Sequence, residues 1–113
     1  MISTIDLQAF PNQKLSVLLN DQECDIALRQ LGNRLYCTLT VEDETLFENA
    51  LCTLAAPIGG SETLGFDGVL FFLDTKGKES PQWEGLGTRW ILNYASSDEE
   101  IYESLINARA IHD

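Results

Sequence analysis

Apolar and polar residues alternate along the first half of the chain, a period of two that is typical of β-strands burying one face. The apolar positions fall in three consecutive groups: Leu15, Val17 and Leu19; Cys24, Ile26 and Leu28; and Leu35, Cys37, Leu39 and Val41. Turn-forming pairs, Asn20-Asp21 and Gly32-Asn33, separate the groups. Glu42-Asp43-Glu44 then leads into a further strand, Leu46–Leu54. The pattern predicts a meander of antiparallel strands.

The pattern changes after Pro57. Residues 58–68 hold four of the eight glycines and are expected to form an exposed loop. The next run, Val69–Leu73, is continuously apolar, as expected of a strand that is covered on both faces. A second loop over 74–87 and a last strand over 88–95 follow. On this last strand the apolar face consists of Trp90, Leu92 and Tyr94.

The final residues predict an amphipathic helix from Ser97 to Ile111. Ser97 followed three residues later by Glu100 matches a capping box. An apolar stripe with helical spacing follows at Ile101, Leu105 and Ala108. We therefore expect a β-barrel domain over 1–95 and an acidic helix over 96–113. The predicted fold class is mainly β, a small antiparallel β-barrel or sandwich of about seven strands with one C-terminal α-helix.

Composition and charge narrow the range of partners. A chain of 113 residues is expected to form one core-containing module, and its 18 acidic against 7 basic residues give a formal net charge of -11. Such a surface repels phosphate backbones and anionic lipids, so we expect no nucleic-acid and no membrane partner. Three cysteines without metal-ligand spacing are expected to be free, buried thiols, which suit a reducing cytoplasm.

Catalytic and metal-binding patterns are missing from the sequence. The single histidine, His112, is one residue from the end of the chain, where a nucleophile's base is rarely held in place. Asp21-x-Glu23-x-Asp25 resembles the start of a calcium loop, but Ile26 stands where the loop needs glycine. A solvated acidic face is the better interpretation. We expect a protein that is not an enzyme and has no catalytic residue, metal site or cofactor.

Two features are candidate partner contacts. Trp83 lies in a glycine-flanked loop, where an indole either anchors a partner or folds back on its own domain. The second feature is the start of the predicted helix, with the acidic residues Asp98, Glu99 and Glu100 and with Tyr102 beside the apolar stripe. These carboxylates suit the positive end of the helix dipole and also a basic neighbour.

Several motifs together resemble a known family. They are Phe10-Pro11-Asn12-Gln13, Asn33-Arg34-Leu35-Tyr36, Gly68–Asp74, Leu86-Gly87-Thr88-Arg89-Trp90 and Tyr94-Ala95. Over roughly residues 5–95 the chain is similar to the baseplate plug family of contractile-tailed bacteriophages, which are small β-barrel proteins of about this length. The motifs are turn and strand signatures, so the resemblance carries over fold and role and no binding residue. The predicted helix extends past the usual end of the family.

The resemblance implies a structural virion protein at the central hub of the tail baseplate, made in the host bacterial cytoplasm. The implied partners are the tail hub and tube-initiator or wedge proteins, with a homo-oligomer as a further option. A different hypothesis is an acidic inhibitor or DNA mimic, which would occupy the basic groove of a host enzyme and would explain the charge directly. A small ligand-binding barrel ranks third because the inward leucines fill a barrel of this size.

Overall fold

The computed structural model describes residues 2–59 and 66–99. This part of the chain contains seven strands and a single 3-10 turn, Trp83–Gly85. The strands are β1 (Ile2–Ile5), β2 (Asn12–Leu19), β3 (Gln22–Leu31), β4 (Arg34–Val41), β5 (Glu44–Leu51), β6 (Val69–Asp74) and β7 (Trp90–Ala95).

A four-stranded antiparallel meander, in the order β2-β3-β4-β5, confirms the prediction from alternation and turns. The Asn20-Asp21 turn has φ of 50° and 62°, and the Glu42-Asp43 turn has φ of 50° and 65°. Positive φ at both central residues is what a type I′ hairpin requires, and its twist matches the twist of the flanking strands. Gly32 supplies the positive φ of 60° in the remaining turn.

A three-stranded antiparallel sheet, in the order β1-β7-β6, covers the meander. Its central strand β7 pairs with β6 from Val69↔Ala95 to Asp74↔Trp90, and with β1 from Ile2↔Ala95 to Ile5↔Leu92. The sequence pattern did not predict β1, whose four residues are too few to show a period. On the other side of β6, Leu54 forms a parallel bridge with Phe72.

The core lies between the two sheets and is built from the inward residues of both. From the meander these include Leu19, Cys24, Ile26, Leu28, Leu35, Cys37, Leu39 and Val41, and from the second sheet Ile5, Leu70, Phe72, Trp90, Leu92 and Tyr94. The predicted apolar face of the last strand is therefore confirmed. All three cysteines are free and buried, as expected.

Two parts of the sequence prediction need correction. The mainly β class is confirmed, and the strand number agrees with the expected figure of about seven, although β1 was not among the predicted strands. Of the two predicted architectures, the described residues form two separate sheets, as in a sandwich, and no closed barrel. The predicted strand ends also shift, since Thr88 and Arg89 belong to a turn in which both amides donate to the carbonyl oxygen of Gly85. Of the predicted helix, residues 100–111 lie outside the described residues, and 97–99 form a turn and a bend.

Candidate interaction surfaces

The candidate surfaces lie on the outer faces and loops of a β-sandwich. Among its described residues, no three or more His, Cys, Asp or Glu side chains are placed to hold a metal ion. The described residues also include no helix with the length and apolarity to cross a membrane. Of the calcium-loop-like acids, Asp21 lies in the β2–β3 turn and Glu23 and Asp25 lie on the outer face of β3. They form part of a larger distribution of charge on the outer face of the meander.

Acidic side chains gather at one end of the four-stranded sheet. The β2–β3 and β4–β5 turns lie at this end and carry Asp21, Glu42 and Asp43. Glu44 begins β5, and Glu23 and Asp25 lie on the adjoining rows of β3. We call these six residues the acidic end. Beside β2 they border a groove of about 410 Å³, which Ser16, Leu18, Glu23, Asp25 and Asp43 help to line. The side chain of Leu18 is 59% exposed there.

Basic and apolar side chains lie toward the opposite end of the same face. Arg34 follows the β3–β4 turn and pairs with Leu31, and Arg29 pairs with Tyr36 one row further in. Leu51 of β5 lies beside Tyr36. Leu31 and Leu51 are 46% and 41% exposed. The outer face of the meander is therefore polarised along the strands, from a carboxylate-rich end to an arginine-containing, partly apolar end.

The loop between β6 and β7 is held by the Arg89 guanidinium. It donates to both carboxylate oxygens of Asp74 at 2.9 Å each and to Oε2 of Glu79 at 3.1 Å. The amides of Lys76 and Glu79 donate to the same Asp74 carboxylate. Arg89 also lies over the Trp90 ring, 4.4 Å from its centroid. Because one carboxylate accepts four hydrogen bonds, the loop has a defined shape.

Asp74 should contribute to stability in a pH-dependent way. The hydrogen bonds from Arg89 are the largest of the effects that hold the pKa of this carboxyl well below its usual range. A lowered folded-state pKa gives stability that is present above the ordinary Asp value of about 4 and is lost as the pH falls through the folded value. In urea unfolding from about pH 5 down to about pH 2, Asp74→Asn should therefore show a shallower loss than the parent chain. Parallel pH profiles would contradict this.

Trp83 opens the 3-10 turn, and its indole is half-buried against the core. Its amide donates to Oε1 of Gln30 at 3.2 Å, and the side chains of Gln30 and Gln82 are joined at 2.8 Å. Gln82 also donates to the carbonyl oxygen of Asn33 at 2.7 Å. These bonds attach the turn to the β3–β4 hairpin, so part of the indole packs on its own domain and part faces outward.

The candidate residues of the predicted helix divide between described and undescribed parts of the chain. Asp98 is exposed and Glu99 is partly exposed, and both follow the Ser96-Ser97 segment that comes after β7. A hydrogen bond from Ser96 is the main cause that lowers the pKa of Asp98. Glu100 and Tyr102 lie outside the described residues. Ser97, just before Asp98, is linked through Asp67 to the β2–β3 turn, whereas Trp83 is attached to the β3–β4 hairpin at the opposite end of the meander. The structure therefore does not bring Asp98 and Glu99 together with Trp83.

Asp67 joins the β2–β3 hairpin to the chain after β7. Its carboxylate accepts from Asn20 at 2.9 Å and from the Ser97 hydroxyl and amide, and these bonds from Ser97 are the main cause that lowers its pKa. Its amide donates to Gln22 at 2.8 Å, and its carbonyl oxygen accepts from the Tyr94 hydroxyl. Burial, followed by the charge of Asp67, raises the pKa of Tyr94 to about 12. These bonds stiffen this end of the sandwich.

Sequence reasoning missed the polarised face and the Asp74–Arg89 pair. The turn residues and the alternation of the strands, which create the polarity, can be read from the sequence. Counting the charges along the outward positions of β2–β4 would therefore have found the polarised face. The ion pair joins residues that are 15 positions apart across a loop, and no local pattern marks such a pair.

Two glycines of the motifs that resemble the plug family, Gly68 and Gly87, have structural roles in this fold. Gly68 has φ of 125°, and a Cβ there would lie 2.4 Å from the Tyr94 ring and 2.6 Å from the carbonyl oxygen of Ala95. Gly87 has φ of 85°, and a Cβ there would lie 2.4 Å from the carbonyl oxygen of Leu7. Both glycines allow close approaches of the backbone that other residues would block.

A comparison with known protein families identifies the family of this chain. The family described as cyanophage baseplate Pam3 plug gp18 matches residues 2–98. The chain belongs to this phage baseplate plug family. The match spans all seven strands, and the family places the chain as a component of the virion tail, in contact with other baseplate proteins. No curated protein matches the chain.

Proposed function

We propose that this plug-family chain is a structural part of the central region of a contractile-tail baseplate and acts through protein–protein contacts without catalysis. The family match over residues 2–98 carries the proposal. The fold supports it, because a structural part needs a stiff scaffold with exposed edges and loops. The hydrogen bonds of Asp67, Gln82 and Arg89 stiffen three different connections of the sandwich.

The proposed partners are the tail hub and the tube-initiator or wedge proteins, with self-association within the baseplate as a further contact. In this proposal the chain is made in the host bacterial cytoplasm and ends in the virion. The plug domain comprises 1–95 and the segment 96–113 is an added docking element. The net charge of -11 supports this role, since it discourages binding to the DNA of the same particle.

A pull-down from cells that express the tail cluster encoded beside this gene tests the proposal, at low and at moderate salt. Capture of a hub or tube-initiator protein that persists at moderate salt is the expected result. Capture of only a host DNA-handling enzyme, released by salt, would overturn it. That outcome would favour the acidic inhibitor, a function for which the six carboxylates of the acidic end provide a surface.

Charge reversal at the start of the added segment should weaken assembly. The variant Asp98→Lys, Glu99→Lys, Glu100→Lys replaces three carboxylates that would face a basic neighbour. A matched control, Asp6→Lys, Glu48→Lys, Glu84→Lys, makes the same change in net charge at exposed positions elsewhere. We expect the first variant to enter assembled baseplates less than the control, measured by quantifying the chain in purified particles. Equal incorporation would remove the docking role of this segment.

A further inference from the structure

The edges of the two sheets differ in how their backbone is protected against pairing. The β1 edge is only four residues long. The side of β6 that faces away from β7 is covered by residues 54–58, because the amides of Ala55 and Ile58 donate to carbonyl oxygens of β6. The β5 edge has two register shifts. Short, covered and bulged edges resist pairing with another chain. Strand β2 is eight residues long, pairs with β3 without a shift, and carries a single charge, at Lys14.

The hairpin geometry shows which backbone groups of β2 point away from the sheet. In a two-residue hairpin the residues flanking the turn, here Leu19 and Gln22, exchange both hydrogen bonds, and bonded pairs then alternate along the strands. The bonds from Gln30 to Pro11 and from Glu42 to Glu23 agree with this alternation. No other described strand pairs with β2 on the side away from β3. The amides and carbonyls on that side therefore belong to the residues with outward side chains, namely Asn12, Lys14, Ser16 and Leu18.

The inner face of β2 is also incompletely covered. Leu15 and Val17 point toward the core but are only partly buried, whereas their partners on β3, Ile26 and Cys24, are 0% and 1% exposed. A neighbouring strand with apolar side chains at alternate positions would cover both residues. Burial of apolar surface favours such pairing by about 25 cal/mol for each Å² removed from water.

The outer face of the same edge selects the charge of a partner. The groove beside β2 places Leu18 next to Glu23, Asp25 and Asp43. Adjacent strands lie about 4.8 Å apart, so a lysine or arginine on an added strand would reach across β2 to the carboxylates of β3. An acidic side chain at that position would be repelled.

We propose that β2 is a strand-addition site, which binds an extended segment of another baseplate protein with apolar and basic residues at alternate positions. The apolar residues cover Leu15 and Val17, and the basic residues lie in the groove near Glu23 and Asp25. The backbone groups of Lys14, Ser16 and Leu18 supply the hydrogen bonds. This deepens the proposed function, on which the identity of the partner as a baseplate protein rests.

The purified full chain can be tested with a capped eight-residue peptide of alternating valine and lysine, and with the same peptide containing glutamate for lysine. Hydrogen exchange followed by NMR should slow by about tenfold or more at the amides of Lys14, Ser16 and Leu18 with the lysine peptide, and not with the glutamate peptide. Equal effects of both peptides, or protection only at another strand, would overturn the proposal.

Variants locate the binding on the outer groove. Leu18→Lys puts a cation into the groove at an exposed position and should lower the affinity for the lysine peptide by about tenfold. Leu73→Lys is the matched control, because Leu73 is 41% exposed on the other sheet. Glu23→Gln removes one negative charge from the groove and should also weaken binding of the lysine peptide. This second variant keeps the test decisive if the Leu18 variant does not fold. Unchanged affinity in both groove variants would contradict the proposal.

Assembled baseplates separate this proposal from the proposed function. Hydrogen exchange in baseplates from the co-expressed tail cluster should show the β2 amides protected relative to the free chain. Incorporation without protection of β2 overturns the strand-addition site and leaves the structural role intact. Peptide binding without incorporation overturns the structural role. Cross-linking of β2 to a second copy of the chain would overturn the assignment to a different baseplate protein.

Discussion

Phe72→Ala should lower the free energy of unfolding by about 3–5 kcal/mol, the cost typical of removing a buried phenylalanine side chain. The side chain of Phe72 is 0% exposed. Phe72 pairs with Leu92 of β7 on one side of β6 and forms a bridge with Leu54 on the other side. Since domains are stable by only about 5–15 kcal/mol, this single change removes a large share of the total. Urea unfolding at neutral pH measures it.

The neighbouring residue provides the control. Leu73 belongs to the same strand, has its side chain on the opposite face and is 41% exposed. Leu73→Ala should cost about 1 kcal/mol or less, as expected of a change outside the core. Similar losses for the two variants would mean that β6 does not bury the face assigned to it.

Gly87→Ala should destabilise the fold by about 2–5 kcal/mol, because two costs coincide. The φ of 85° is unfavourable for a residue with a Cβ, by about 1–2 kcal/mol. The new Cβ would also lie 2.4 Å from the carbonyl oxygen of Leu7, a backbone atom that moves only with its strand connection. Thermal or urea unfolding of the purified variant measures the combined loss.

Gly32→Ala isolates the first of these costs. Gly32 also has a positive φ, 60°, but a Cβ there would meet no atom within 4 Å. Its substitution should therefore cost only the backbone contribution of about 1–2 kcal/mol. If both alanine variants lose the same stability, the close approach of Leu7 to Gly87 does not constrain the fold.

The meander was predictable because its information is local. Inward residues alternate without interruption on β3 and β4, and each two-residue turn contains residues that tolerate positive φ, such as Asn20 and Gly32. The continuous apolar run of β6 also indicated a strand covered on both faces, and Val69, Leu70, Phe71 and Phe72 are all buried. Short-range rules suffice where each strand pairs with the next.

The rest depended on contacts between distant parts of the chain. The four residues of β1 become a strand only because β7 offers them a partner. Whether seven strands close into a barrel or separate into two sheets is decided by which edges meet, and periodicity does not encode that choice. The predicted contact at Trp83 remains a prediction, because sequence gives the residue type and not the share of the indole that a partner would reach.

The pairing of β1 with β7 has a consequence for how the protein is made. Each hairpin of the meander joins strands that follow one another, whereas the side chains of Thr4 and Asn93, bonded across the second sheet, are 89 positions apart. Local pairings form with a small loss of chain entropy, and distant ones with a larger loss. We therefore expect the meander to form while the chain is still being translated. The second sheet can be completed only after β7 has left the ribosome, so we expect the core between the two sheets to close last.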